Sequence, residues 1–217
     1  MSEPRHPRIF LSHSHFEKET AGTIKKELDK LGCKCFVAHE DIVPTKVFED
    51  EILKNLRECD ALLALLTENF AKSNWTDQET GIAIALNKLV VGVKMGIDPY
   101  GFIGKYHAAK WDFEEPELSA KKLALLLLDH DLLTLDNLIL GFSNSYSYDD
   151  AGRNSAIITS GFKFSKQQMN ALLLHATRNS QVSGAGSAKR ILRPFFSSHR
   201  DILDQTLMAT WVELTKN

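Results

Sequence analysis

Ala61-Leu62-Leu63-Ala64-Leu65-Leu66 is a run of six apolar residues set between Asp60 and Thr67. A strand with one wet face alternates apolar and polar side chains. A strand covered by helices on both faces has no such need, so an unbroken run of this length reads as a central strand of a parallel sheet. The flanks agree. Upstream, Val47, Phe48, Ile52, Leu53 and Leu56 recur at helical spacing. Downstream, Ile82, Ala83, Ala85 and Leu86 pattern another helix, followed by a strand at Leu89-Val90-Val91-Gly92-Val93.

Toward the amino terminus the same alternation continues. Arg8-Ile9-Phe10-Leu11-Ser12 is a short apolar strand, and Ser14 followed by Glu17 has the spacing of a capping box. Ala21, Ile24, Leu28 and Leu31 then give a helix that Gly32 stops, and Lys34-Cys35-Phe36-Val37-Ala38 is the next strand. Toward the carboxyl terminus, a long loop carrying Asp98-Pro99 leads to a weak fifth strand near Lys110-Trp111-Asp112-Phe113, and Leu118 to His130 closes the unit as a helix. Strands alternating with helices over roughly 125 residues predict an α/β domain with a five-stranded parallel sheet, residues 1–130. Right-handed crossovers put the polar loops after the strands on one edge.

Residues 131–217 differ in kind. Asn137 to Gly161 is rich in Ser, Asn, Gly and Tyr and shows no clear period. Ser165-Lys166-Gln167-Gln168 signals a helix start, the Ser183 to Ser187 run reads as a turn or flexible loop, and helical patches follow at Ala188 to Phe196 and Asp201 to Leu214. From Ala151 to Arg200 there are eight Lys or Arg residues and no acid. The expectation is a small, mostly helical, locally basic second domain that supplies interdomain, oligomer or trigger contacts.

The bulk properties are those of an ordinary globular protein of 217 residues, and a formal net charge of −2 gives no dominant field for nucleic acid or membrane. Cys33, Cys35 and Cys59 are odd in number and lack zinc spacing, which suits small core thiols in a reducing, cytoplasmic setting. Met1 to Arg8 is polar and lacks the apolar core of a secretory signal. Leu123 to Leu133, the greasiest stretch, is interrupted by Asp129-His130-Asp131 and falls short of the about 20 residues a membrane span takes.

Ser73-Asn74-Trp75-Thr76-Asp77-Gln78-Glu79 follows the central strand and so belongs at the carboxyl edge of the sheet, where open α/β folds bind ligands. Two readings of Glu79 stand together. In one, Thr76-x-x-Glu79 is a capping box that satisfies a helix start. In the other, Glu79 is a site carboxylate in the first helical turn, kept ionised by the helix dipole. Trp75 is either a core anchor or a stacking platform. His13 and His15 stand two apart with no companion ligands, so no metal is expected. A phosphoacceptor receiver would need acids where Ser12 and Thr67 stand, and the G-x-G-x-x-G of a dinucleotide-binding dehydrogenase is absent after the first strand.

Arg8-Ile9-Phe10-Leu11-Ser12-His13-Ser14 with Glu17, the loop His39-Glu40-Asp41-Ile42-Val43-Pro44, and Ser73-Asn74-Trp75 with Glu79 together resemble the three boxes of a TIR (Toll/interleukin-1 receptor) domain, its bacterial branch in particular. The resemblance covers about residues 7 to 130, with Thr45 where the family commonly has the Gly of Pro-Gly. It implies a flavodoxin-like fold. It also implies an enzyme that cleaves the nicotinamide–ribose bond of NAD⁺, as a glycohydrolase or an ADP-ribose cyclase, often in anti-phage defence. Glu79 corresponds to the catalytic residue of such enzymes. Ser12, His13, Asp41 and Ile42, with Trp75, correspond to the positions that line the substrate. NAD⁺ is then a substrate with no further cofactor, and activity implies a homo-oligomer. The rival reading is a non-catalytic TIR–TIR adaptor module.

Overall fold

The computed structural model describes residues 5–37 and 48–216. Its first compact unit is built from His6–Asp29 and Cys33–Leu132. The elements run β1 (Arg8–Ser12), α1 (Lys18–Lys30), β2 (Lys34–Val37), α2 (Phe48–Glu58), β3 (Ala61–Leu66), α3 (Glu68–Ala71), α4 (Asn74–Ala85), β4 (Leu89–Lys94), β5 (Ala109–Lys110) and α5 (Pro116–Asp129). The five strands form one parallel sheet in the order β2-β1-β3-β4-β5. This is the expected α/β fold.

The six-residue run behaves as its composition requires, every residue of β3 being buried. Leu62, Ala64 and Leu66 pack with Phe10 into a core that takes Ile52 and Leu56 from α2, Phe70 from α3 and Ala83 from α4. Leu63 and Leu65 point to the opposite face, as a period of two demands, and are equally buried. Fully burying one such leucine stabilises the fold by about 1.5–3 kcal/mol.

The outer strand β2 is closed by α1. The Cys35 N–H donates to Asp29 Oδ1 at 2.8 Å, and the Lys25 ammonium donates to the Cys35 carbonyl at 2.5 Å. Two side chains one helical turn apart thus occupy backbone groups that an open edge would offer to another chain. Cys33, Cys35 and Cys59 are buried free thiols around a 490 Å³ cavity at the amino edge of the sheet. Burial pushes the Cys59 thiol up to about 11 and the other two further, so none is a nucleophile at neutral pH.

The weak fifth strand is only two residues, slightly earlier than the sequence places it, and pairs at Val93↔Ala109 and Lys94↔Lys110. Trp111, expected in the strand, is buried just beyond it.

The second unit comprises Leu133–Asn217 with Arg5 and Lys30–Gly32. Its helices are α6 (Leu135–Ser143), α7 (Tyr148–Ile158), α8 (Lys166–Arg178), α9 (Ser180–Gly184), α10 (Gly186–Ser198) and α11 (Gln205–Leu214). The stretch from Asn137 to Gly161, which shows no period in sequence, holds most of α6 and all of α7. Small and polar residues hide the pattern because they are buried: Asn154 and Ser155 lie inside α7, and Gly152 accommodates Ser187 where a Cβ would come within 2.3 Å. The Ser183 to Ser187 run is likewise no flexible loop. It holds the end of α9 and the start of α10, joined through Ala185. The Ser165 box does form, with Ser165 Oγ accepting the Gln168 N–H and Gln168 Oε1 accepting the Ser165 N–H. Gly32 sits at φ +88°, and Gly141 lies so near the Lys30 carbonyl that a Cβ would come within 2.2 Å. Leu172, Leu173, Leu192, Phe196 and Trp211 are the fully buried centre of this unit.

Candidate functional site

The strand order reverses direction between β1 and β3: the chain leaves β1 toward β2 on one side and crosses back to β3 on the other. At the carboxyl ends of such a pair the two connections diverge and leave a crevice. Ser12 ends β1, and its Cα pairs with that of Ala64 in β3. The chain after β3 passes through α3 and turns into α4, which carries Glu79.

Thr67 caps α3 by accepting the Phe70 N–H at 3.1 Å. Ser73 is the cap residue of α4 but makes no side-chain cap hydrogen bond. Thr76, the expected cap, is instead the third residue of α4. It is fully buried and its hydroxyl donates to the carbonyls of Phe70 at 2.7 Å and Ser73 at 2.9 Å, tying α3 to α4. The expectation of a Thr76–Glu79 capping box is therefore corrected. Because the helix starts three residues earlier, capped at Ser73, Glu79 lies in its second turn, beyond the reach of free N–H groups at the start.

Glu79 is turned toward β1. Ser12 Oγ donates to Glu79 Oε2 at 2.5 Å, across 67 residues of sequence, and both side chains are buried. Among the described residues this is the hydrogen bond the carboxylate accepts, and no cation pairs with it. The expectation of an ionised Glu79 held by the helix dipole is corrected with it. Burial pushes its carboxyl from the ordinary 4.5 up to about 7, with the Ser12 hydrogen bond pulling the other way. Desolvation wins because the dipole's effect fades beyond the first turn.

His13 follows Ser12 and is buried, its Nδ1–H donating to the Leu11 carbonyl at 3.0 Å. His15 is exposed and stacks on Phe16 at 3.8 Å between ring centroids. Trp75 is 42% exposed, which sets aside the core-anchor reading. Asp41 and Ile42, with the rest of the expected loop from His39 to Pro44, lie outside the described residues. Ser14 caps the turn after β1, but the expected Ser14–Glu17 box does not form. Ser14 accepts the Phe16 N–H at 3.4 Å, whereas the Glu17 carboxylate accepts from Asn69 Nδ2 at 3.0 Å and so joins the turn after β1 to α3.

Residues the sequence reading passed over lie beside this site. Thr80 is buried, and its hydroxyl has no hydrogen-bond partner among the described residues. It lines a 290 Å³ cavity with Phe70, Asp77 and Tyr100. The Tyr100 hydroxyl donates to Asp77 Oδ1 at 2.8 Å, pinning the first turn of α4 to the loop after β4. Asp77 and Thr80 stand three apart on one helical face, which was visible in sequence. Tyr100 had no such signal. Among the described residues no three His, Cys, Asp or Glu side chains gather as a metal site, and no helix is long and apolar enough to cross a membrane.

No curated protein matches the sequence. Among solved structures, the crystal structure of the TIR domain of the Toll-related receptor TRR-2 from the lower metazoan Hydra magnipapillata is similar with a TM-score of 0.47 and 16% sequence identity, covering 57% of this chain and 96% of that one. A family model for the TIR domain matches residues 9–127, more than half of the chain, and the chain belongs to the TIR-domain family.

Proposed function

We propose that the protein is an NAD⁺-cleaving enzyme, a glycohydrolase or ADP-ribose cyclase, with Glu79 as its catalytic carboxylate and Ser12, His13, Asp41, Ile42 and Trp75 lining the substrate. TIR domains include both such enzymes and signalling adaptors that work through TIR–TIR contacts. The observation that carries the enzymatic reading is the burial of Glu79 against a neutral hydroxyl. A buried carboxylate with no cation costs stability, and an apolar residue of similar size would relieve that cost. Its retention is economical only if the charge has work to do.

The chemistry suits such a group. Breaking the ribose C1′–N bond sends the electron pair to the positively charged pyridine nitrogen, so neutral nicotinamide departs and positive charge develops on the ribose. An ionised carboxylate fixed beside that ring stabilises the oxocarbenium character, in a site where low polarity amplifies the attraction. Capture by water gives ADP-ribose and a proton; capture by an adenine nitrogen gives a cyclic isomer. Ser12 donates to the carboxylate and holds its orientation. A first-turn Trp75, exposed as it is, offers a flat surface for a ring.

By this reading NAD⁺ is substrate, no further cofactor is used, and the active form is a homo-oligomer in the cytoplasm, where NAD⁺ turnover serves anti-phage signalling. Residues 131–217 then form a helical domain that reads the trigger or a partner. The test is nicotinamide release from NAD⁺ by concentrated purified protein, with and without a crowding agent. Turnover lost in Glu79→Gln supports the enzyme. Absent turnover, or turnover unchanged in that variant, leaves the adaptor as the function.

A further inference from the structure

The sheet closes one of its edges and leaves part of the other open. We propose that the open part takes an extended acidic segment of another protein, added as a strand beside β4. At the β2 edge, Asp29 and Lys25 occupy the outward backbone groups of Cys35. At the other edge, β5 pairs only with Val93 and Lys94, so residues 89–92 of β4 have β3 on one side and, among the described residues, no strand on the other.

The direction of the unpaired groups follows from the pairing. Backbone groups of alternate strand residues point to the same side. The Trp111 N–H donates to the Lys94 carbonyl at 3.2 Å on the β5 side, and Val90, four residues before Lys94, turns its own N–H and carbonyl to that side, where β5 does not reach. Groups of this kind are what an incoming strand bonds.

The space for such a strand is present. The chain ahead of β5 does not run alongside β4. It turns through Gly101–Ile103, with the Tyr106 N–H on the Ile103 carbonyl at 3.0 Å. Beside residues 89–92 lies a cavity of 580 Å³ that Leu126 of α5 also lines. Leu89 and Val90 are only half-buried there, although β3 next to them is wholly buried. Phe102 and Tyr106, 77% and 56% exposed, line the same cavity and offer apolar surface to alternate side chains of a guest strand.

Charge selects the occupant. Lys88, Lys105, His107 and His130 line the cavity, and no carboxylate does so among the described residues. A second copy offering its own β4 edge would bring like charges together, whereas an acidic segment is drawn in. Four residues of strand span about 13 Å, so the ladder is short and the affinity modest.

The test uses the full chain and a fluorescein-labelled peptide of alternating glutamate and valine, with binding followed by anisotropy. The expected result is saturable binding with a Kd of about 0.1 mM or tighter at low salt, weakened by added salt. In the complex the Val90 amide exchanges its hydrogen more slowly than in the free protein. The same peptide methylated at every backbone nitrogen keeps its side chains, loses its ladder donors and does not bind. Lysine in place of glutamate also abolishes binding. The double variant Lys105→Glu and His107→Glu, at exposed positions where folding is not at stake, weakens binding of the acidic peptide about tenfold. Equal binding of the methylated or the lysine peptide, an unchanged Val90 exchange rate, indifference to the double variant, or a self-association of the chain that the peptide displaces overturns the proposal. Binding is read apart from nicotinamide release, so the outcome is independent of whether the chain cleaves NAD⁺.

Discussion

Glu79 and Asp150 are both buried carboxylates, one in each unit, and they are treated in opposite ways. Asp150 is 1% exposed, receives Arg153 Nη2 at 2.7 Å and has Lys30 Nζ at 3.2 Å. Burial alone would push its carboxyl up, but the hydrogen bonds and charges of Arg153 and Lys30 outweigh that and hold it below the usual range. Glu79 is 5% exposed and has a serine, and burial carries it to about 7. A carboxylate whose purpose is structural is given its cations by the fold. One left without them among the described residues, as Glu79 is, marks a place where the fold bears a cost for something else.

The largest expected effect separates the two residues. Glu79→Gln keeps the volume and a hydrogen-bond acceptor for Ser12 while removing the charge. Nicotinamide release should fall by about 10²–10³ or more, as when a dedicated electrostatic stabiliser is lost. Its thermal stability at pH 8 should be no lower than that of the parent. Asp150→Asn should do the reverse. It leaves two cations facing a neutral amide, so stability should drop by about 2–4 kcal/mol in chemical denaturation, while turnover per folded molecule stays unchanged. If both variants lose stability alike and neither loses turnover selectively, the contrast collapses.

The pH dependence sharpens the same comparison because the two groups act in different windows. For Glu79 the folded value is raised. Its contribution to stability is fully present below the ordinary 4.5 and is lost as pH rises through about 7, a change on the order of 3 kcal/mol. For Asp150 the folded value is lowered, so its contribution is present above the ordinary 3.8 and is lost as pH falls through the folded value. Denaturation across pH 4.5 to 8 should therefore show a decline that Glu79→Gln removes and Asp150→Asn leaves in place. If Glu79 acts as proposed, in its ionised form, the kcat/KM for NAD⁺ should rise over the same range with an apparent pKa of about 7.

What was legible in sequence follows from what each feature depends on. β3 was readable to the residue because six buried side chains leave no ambiguity about their environment. β5 was misplaced because two residues carry almost no periodic signal. In the second unit, α7 escaped notice because its buried face includes Gly152, Asn154 and Ser155, which pack and hydrogen-bond without being apolar. Glu79 as the candidate carboxylate came through family likeness, but its environment did not. Thr-x-x-Glu describes a capping box and a mid-helix pair equally well, and the difference lies in where the helix starts, a shift of three residues. Ser12 as its partner is a contact across 67 positions, which only the topology at the β1–β3 switch reveals.

Ser12→Ala removes the interaction that pulls the Glu79 carboxyl down. The alkaline shift of the kcat/KM profile should amount to up to about one pH unit, within the range for a hydrogen bond to a charged group. The maximal rate should fall less than in Glu79→Gln, because the charge remains available at higher pH. A profile that stays at its parental position would show that the 2.5 Å contact is not made in the catalytic form.

Thr76→Val tests the same neighbourhood without touching the carboxylate. The hydroxyl donates to the carbonyls of Phe70 and Ser73, and valine replaces it at nearly equal volume. Losing the Thr76 hydroxyl leaves the Phe70 carbonyl with the Ser73 N–H at 3.1 Å as its donor, so the cost is that of one net hydrogen bond, about 0.5–1.5 kcal/mol. If Thr76 and Glu79 formed a capping box, the substitution would also disturb Glu79 and move the pH profile. Here Glu79 bonds to Ser12 instead, so the kcat/KM profile should keep its midpoint while the unfolding midpoint drops. A shift in both would restore the capping relation and weaken the case that Glu79 is held for its charge.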